Sequence, residues 1–207
     1  MGSSAALKVC LDVNIWVAYL MALQRRRQGT VVAQVVEAVR DMKVGAMPLQ
    51  LVMSQEMLGT LERVLDRQGF NPPAVQAFVQ SIEDLMRRGP EGIEPHLLVS
   101  GRDQLAMHDR EDAGVLAASF LARVDLLVTD NLKDFETNDS ETFNTQEVAR
   151  PSRGTRQLTA IVHERADGVA LVVAHPFDVI EWLKKGVRPT PEAIRREYGS
   201  VLDQLLK

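Results

Sequence analysis

One stretch, Asp109 to Phe135, constrains this chain more than any other. It opens on acids (Asp109, Glu111, Asp112) and continues with Ala and Leu at helical spacing. A short apolar run follows at Asp125–Thr129, and two further acids, Asp130 and Asp134, come straight after it. A helix leading directly into a wholly apolar strand is the pattern of a parallel sheet buried on both faces. In open α/β sheets the carboxyl ends of the strands face the ligand crevice, so Asp130 and Asp134 fall where ligands bind. Asp112 falls at the opening of the preceding helix, where free amides and the helix dipole tolerate negative charge. Carboxylates gathered at one crevice repel one another unless a cation or a proton is shared. An all-oxygen donor set suits a hard divalent ion, Mg²⁺ or Mn²⁺.

The chain before this stretch alternates strand and helix. Leu7–Val13 reads as a buried strand, with Asp12 at its end, Asn14 two residues on, and a helix starting at Ile15. Asp12 and Asn14 are open to two readings: a polar pair capping that helix, or a metal ligand with a neighbour that orients it or the substrate. Valines at helical spacing predict a helix over Thr30–Lys43, and Pro48–Met53 supplies a second strand. Ser54 is a plausible N-cap for a helix whose apolar face carries Met57, Leu58, Leu61, Val64 and Leu65. Glu56 and Thr60, four residues apart, share one face of it near its start. A further helix is predicted over Ala74–Met86, and Leu97–Val99 as a short strand. Alternation of this kind favours a parallel sheet covered by helices on both faces.

Beyond Phe135 the pattern changes. Glu136–Gly154 is polar and predicts a long loop. Two β-rich runs, Gln157–Glu164 and Val169–Ala174, flank Arg-Ala-Asp-Gly and predict a hairpin. A short helix follows over Pro176–Leu183, and Thr190-Pro191-Glu192 starts a last one carrying Ile194, Tyr198, Val201, Leu202 and Leu205. That helix has two candidate docking surfaces, the domain itself or a second subunit. Segmented this way, 1–185 forms one domain with 137–170 as a loop and hairpin insertion, and 186–207 forms a C-terminal helical extension.

A formal net charge of −4 argues against a generally basic nucleic-acid surface but leaves room for a local patch. The single cysteine, Cys10, has no partner for an internal disulfide. No run reaches the ~18 apolar residues of a membrane span, and the N-terminus lacks the order of a signal segment. These features predict a cytoplasmic protein without a membrane partner. His96, His108, His163 and His175 lack zinc-ligand spacing and read as structural or surface residues, while Trp16 and Tyr19 read as core. No glycine-rich phosphate loop is present, which argues against nucleotide-dependent kinases and dehydrogenases. Asp12-Val13-Asn14 lacks the second carboxylate that an aspartyl-phosphate phosphatase would want.

Three segments together resemble the PIN-domain ribonucleases, especially the toxins of bacterial toxin–antitoxin pairs. They are VCLDVNIWVAYL from Val9, MSQEMLGTLERVL from Met53, and EDAGVLAASFLARVDLLVTDNLKDF from Glu111, the last being the most specific. Leu171–Leu183 is similar to the family's closing strand and helix. The resemblance implies a three-layer α/β/α sandwich with a central parallel sheet, here with an added β-hairpin and C-terminal helix. It also implies one or two Mg²⁺ or Mn²⁺ ions in an acidic crevice, hydrolysing RNA phosphodiester bonds. Asp12 and Asp112 match the family's metal-binding carboxylates. The family's third acid falls at Asn131 or, from the Asp-Phe pair, at Asp134, and Asp130 stands one residue early. Asn14 and Thr129 would orient ligands or substrate.

Where the family places a Glu six residues after the Ser of the second segment, this chain has Thr60, with Glu56 one turn nearer the helix start. Losing that carboxylate lowers the site's negative charge and its expected metal affinity. The resemblance therefore implies a metal-dependent endoribonuclease with an RNA substrate, a cognate antitoxin that blocks the crevice with a basic side chain, and a homodimer. The alternative is a PIN-like module that has lost catalysis and binds RNA or a protein partner.

Overall fold

In the computed structural model, residues 5–94, 110–150 and 154–198 are described. Among them lie seven strands: β1 (Leu7–Leu11), β2 (Lys43–Val44), β3 (Met47–Leu51), β4 (Leu126–Val128), β5 (Ser140–Arg150), β6 (Gly154–Glu164) and β7 (Ala170–Ala174). The helices among them are α1 (Val13–Gln24), α2 (Val31–Arg40), α3 (Gln55–Arg67), α4 (Pro72–Arg88), α5 (Arg110–Leu121), α6 (Pro176–Lys184) and α7 (Pro191–Tyr198). A 3-10 turn spans Leu132–Phe135.

The strands form one sheet in the order β2-β3-β1-β4-β7-β6-β5. Its centre, β3-β1-β4-β7, is parallel. Antiparallel strands flank it, β2 on β3 at one side and then β6 and β5 beyond β7. Leu126, Leu127 and Val128 of β4 are all buried, as are Val9, Cys10 and Leu11 of β1 and Leu171–Ala174 of β7. Successive strand side chains point to opposite faces, so unbroken burial means that both faces are covered. The three-layer α/β/α arrangement with a parallel centre follows from those apolar runs.

The helices begin where the local chemistry lets them. Thr30 Oγ1 caps α2 by accepting from Ala33 N at 3.1 Å, and Ser54 Oγ caps α3 by accepting from Met57 N at 3.3 Å. Helix α3 buries Met57, Leu58, Leu61 and Leu65, one stripe at helical spacing. Helix α4 starts at Pro72, earlier than Ala74. Pro72 and Pro73 occupy the first positions of α4, where a missing N–H costs nothing. Trp16 and Tyr19 are core residues, as expected.

The largest correction concerns Glu136–Gly154. Most of this predicted loop is β5, which pairs along its length with β6 and is anchored by the fully buried Phe143. The predicted hairpin is present as β6 and β7, but β6 begins at Gly154 and β7 lies between β4 and β6 in the main sheet. Helix α7 packs on β5 and β7 through buried Ala193 and Ile194. Its Arg195 bridges Glu141 of β5 at 3.1 Å and Glu164 of β6 at 2.8 Å. Leu97–Val99, His96, His108, Asp109 and residues 199–207, including Val201, Leu202 and Leu205, lie outside the described residues. No described helix is long and apolar enough to cross a membrane.

Candidate active site

Because β1, β3, β4 and β7 are parallel, their carboxyl ends deliver Asp12, Ser54, Thr129 and His175 to the same end of the sheet. Asp12 is the N-cap of α1 and only 7% exposed. Its Oδ1 accepts from Val13 N at 2.6 Å. Its Oδ2 accepts from Asn14 Nδ2 at 2.7 Å and from the Thr129 hydroxyl at 2.8 Å. The capping reading of the Asp12–Asn14 pair is what the structure displays: the carboxylate caps the helix, and Asn14 holds it in place.

Thr129 is the hub that joins β1–α1 to the end of β4. Fully buried, its hydroxyl also accepts from Asn14 Nδ2 at 3.0 Å and from Asn131 N at 3.1 Å. Asp130 N donates to Asn14 Oδ1 at 3.3 Å, closing the ring of contacts. Burial raises the Asp12 pKa above the ordinary carboxyl value of 3.8. The Thr129 and Val13 hydrogen bonds oppose that shift, and the negative charge of Asp134 adds to it. A buried carboxylate held beside a second acid is favoured in its charged form when a cation is near.

An open cleft of about 420 Å³ lies against this corner. Its polar lining is Asp12 and Asn14 from the β1–α1 junction, Ser54, Glu56 and Thr60 from the start of α3, and Asp112 from the first described turn of α5. Val17, Met57, Val64 and Val115 supply apolar wall. Asp130, Asn131, Thr129 and Asp134 do not line it but stand beside it at the end of β4 and in the 3-10 turn. Asn131 Nδ2 donates to Asp134 Oδ2, so the amide at the position of an expected acid holds the acid three residues on. Among the described residues, no group of three or more His, Cys, Asp or Glu is close enough to hold a metal ion.

Two participants were not legible in the sequence. His175 caps α6, its Nδ1 accepting from Phe177 N at 3.1 Å. That contact leaves Nε2 as the protonated nitrogen, and it donates to Asp130 Oδ1 at 2.5 Å. Asp130 is 67% exposed and is drawn toward the α6 end of the crevice. The second participant is Arg63, exposed on α3, whose Nη2 donates to Thr60 Oγ1 at 2.8 Å. A guanidinium thus stands against the position where an acid was expected. His163 is structural, buried edge-on to Phe120 with its pKa lowered chiefly by burial. Cys10 is buried under the site, and desolvation pushes its thiol up to about 12, so it is inert as a nucleophile.

The sequence model of the PIN domain matches residues 8–133, a span that contains Asp12, Asn14, Glu56, Thr60, Asp112, Thr129, Asp130 and Asn131 and stops one residue before Asp134. Comparison with curated proteins and with solved structures returns no match. PIN domains are typically metal-dependent nucleases that use Mg²⁺ or Mn²⁺. With more than half of the chain matched, and with the acids at the carboxyl end of a parallel-centred α/β sheet, the chain belongs to the PIN-domain family.

Proposed function

We propose that this chain is a divalent-metal-dependent endoribonuclease, acting as the toxin of a toxin–antitoxin pair. One observation carries the nuclease reading: Asp12 and Asp112, from different elements, face the same open cleft, with Glu56 also in its lining. Mg²⁺ is commonly held by one or two carboxylates, with water and substrate phosphate completing its shell. Those residues fit that habit. Asp12 uses roughly three of its four lone-pair sites on Val13, Asn14 and Thr129, which leaves one on Oδ1. When bound, such an ion lowers the pKa of water and neutralises charge on the scissile phosphate.

The residues around it have separable tasks. Asp12 and Asp112 bind, and Asn14 and Thr129 fix the Asp12 rotamer so that no reorganisation is needed during reaction. Arg63, steadied by Thr60, is placed to take a phosphate oxygen of the RNA. Asp130 and Asp134 shape the negative field at the crevice rim, with Asp130 tied to His175 and Asp134 to Asn131. The toxin role, a homodimer and a cognate antitoxin rest on the resemblance. The acidic cleft supports a partner that inserts a basic side chain between Asp12 and Asp112, and a complex whose partner sits far from both would sink that idea.

The second reading is a binding module without catalysis. Thr60 in place of an acid favours it, as does the lack of a three-acid cluster among the described residues. Cleavage of a mixed RNA pool with Mg²⁺, Mn²⁺ or EDTA, for wild type and Asp112→Asn, separates the two. Metal-dependent cutting that the substitution abolishes supports the nuclease. RNA retained but uncut by folded wild-type protein selects the module.

A further inference from the structure

Helices α1 and α3 form two walls of the cleft, and they are built to the same measure. Each starts from a capping side chain at the carboxyl end of a parallel strand, Asp12 after β1 and Ser54 after β3. They pack against each other, and both line the cleft from their first turns, α1 as far as Ala18 and α3 as far as Val64. An arginine stands 13 positions past each cap, Arg25 on α1 and Arg67 on α3 (25 − 12 and 67 − 54). At ~1.5 Å per residue, that is about 20 Å along either helix.

The helical period decides which way these positions face. At ~100° per residue, position 25 falls within about 20° of positions 14 and 18, both of which line the cleft. Position 67 falls within about 20° of the cleft residues Glu56 and Thr60, and position 63 within about 20° of Glu56. The neighbouring acids Glu62 and Asp66 turn more than ~100° away from the middle of this face. Arg25, Arg63 and Arg67 are exposed. None of them makes a salt bridge among the described residues, whereas Arg87, Arg188 and Arg195 all do. Arg63 bonds to the uncharged Gly59 O and Thr60 Oγ1.

The cleft and its continuation are therefore graded in charge. Asp12, Glu56 and Asp112 lie toward the strand end, Val17, Ala18 and Val64 come next, and unpaired guanidiniums stand beyond them. A ligand lying lengthwise must present negative charge twice, to a cation held by the acids and again to the arginines. A nucleic-acid strand does so at every residue of its backbone, and guanidinium forks suit phosphate oxygens. A protein that placed a basic side chain among the acids would have to reverse its charge by the far end.

We propose that RNA lies along this groove, with its scissile phosphate at the acids and phosphates farther along the strand held by Arg25 and Arg67. At the ~3.4 Å per nucleotide of a stacked strand, the span takes about six nucleotides. The assignment rests on the nuclease reading for its ligand, but binding is measured apart from cleavage.

The test is binding of a fluorescein-labelled single-stranded RNA of mixed sequence in EDTA, over a salt series, to wild type, Arg25→Ala/Arg67→Ala and Arg25→Lys/Arg67→Lys. Removing one cation from the phosphates of a single strand flattens the log–log salt slope by ~0.7, so the alanine pair flattens it by about 1.4. Over one decade of salt, from ~1 M to ~0.1 M, that is roughly a 25-fold weaker affinity at the lower salt. The lysine pair keeps both charges and should stay near the wild-type slope, which excludes misfolding as the cause. Cleavage of the same RNA with Mg²⁺ or Mn²⁺ is followed separately. If no form cuts it while binding still depends on the two arginines, the nuclease reading fails and the groove assignment stands. If wild type cuts and the alanine pair keeps the wild-type affinity and slope, the assignment is overturned and the arginine end is left to an acidic protein partner. Absence of RNA binding by wild type would overturn it as well.

Discussion

The hydroxyl of Thr129 offers the sharpest test of how the site is held. Thr129→Val keeps the shape and removes three hydrogen bonds: to Asp12 Oδ2 at 2.8 Å, from Asn14 Nδ2 at 3.0 Å and from Asn131 N at 3.1 Å. The first is a bond to a buried carboxylate and is worth ~1.5–3 kcal/mol. The other two donors belong to the half-buried Asn14 and the exposed Asn131, which can turn to water, so each loss is nearer ~0.5–1 kcal/mol. The added methyl returns at most ~0.8 kcal/mol. The expected net loss is about 2–4 kcal/mol. At ~2–4 °C per kcal/mol for a chain of this size, the melting temperature should fall by about 4–16 °C. Thermal denaturation in EDTA at neutral pH is the assay, with Thr129→Ser, which keeps the hydroxyl, as the control. If valine melts with wild type, or serine falls as far as valine, Thr129 is not the hub described above.

Three further expectations follow from the same geometry. The folded-state pKa of Asp12 is raised, so its contribution to stability is fully present below the ordinary carboxyl value of 3.8 and is lost as pH rises through the raised value; in EDTA the melting temperature of Asp12→Asn relative to wild type should therefore climb with pH across that window, and a flat difference would contradict it. His175→Ala removes both the α6 cap and the hold on Asp130 and should cost about 1–2 kcal/mol by urea denaturation, with His175→Asn regaining the cap's share. Gly89→Ala drives a methyl into the amide of Gln50, a fully buried side chain bonded to Leu51 O, Met86 O and Glu91 N, and should cost ~1–3 kcal/mol. In a double-mutant cycle with Gln50→Ala the two losses should be clearly less than additive.

What the sequence made legible follows the range of the interactions. The buried runs of β1 and β4, the Ser54 cap and the turn before β7 are local signals, and each lies where its residues predict. Asp12, Asn14, Glu56, Thr60 and Asp112 were reachable because strand ends and helix starts place them with few alternatives. Strand β5 was hidden for a physical reason. The register shift between Asn144 and Glu147 breaks its alternation, and only one apolar anchor, Phe143, precedes the break. Strand β2, two residues long, is too short to carry a period. His175 and Arg63 depend on contacts that no spacing announces: an imidazole meeting a carboxylate 45 positions earlier, and a guanidinium folding back one turn onto a threonine.

The position of β7 has a consequence for how the protein is made. Leu126 of β4 pairs with Val172 of β7, 46 positions later (172 − 126), and the segment matched as a PIN domain ends at residue 133. During synthesis at ~5–20 residues per second, β4 therefore waits roughly 2–9 s for its neighbour. Through that interval a wholly apolar strand is an open edge, the kind of surface that pairs with other chains. The nascent chain carries both cleft aspartates, Asp12 and Asp112, well before the sheet beneath them can close. Ribosome pausing within 134–170 should lengthen that exposure, so the yield of folded protein depends on how quickly this stretch is translated.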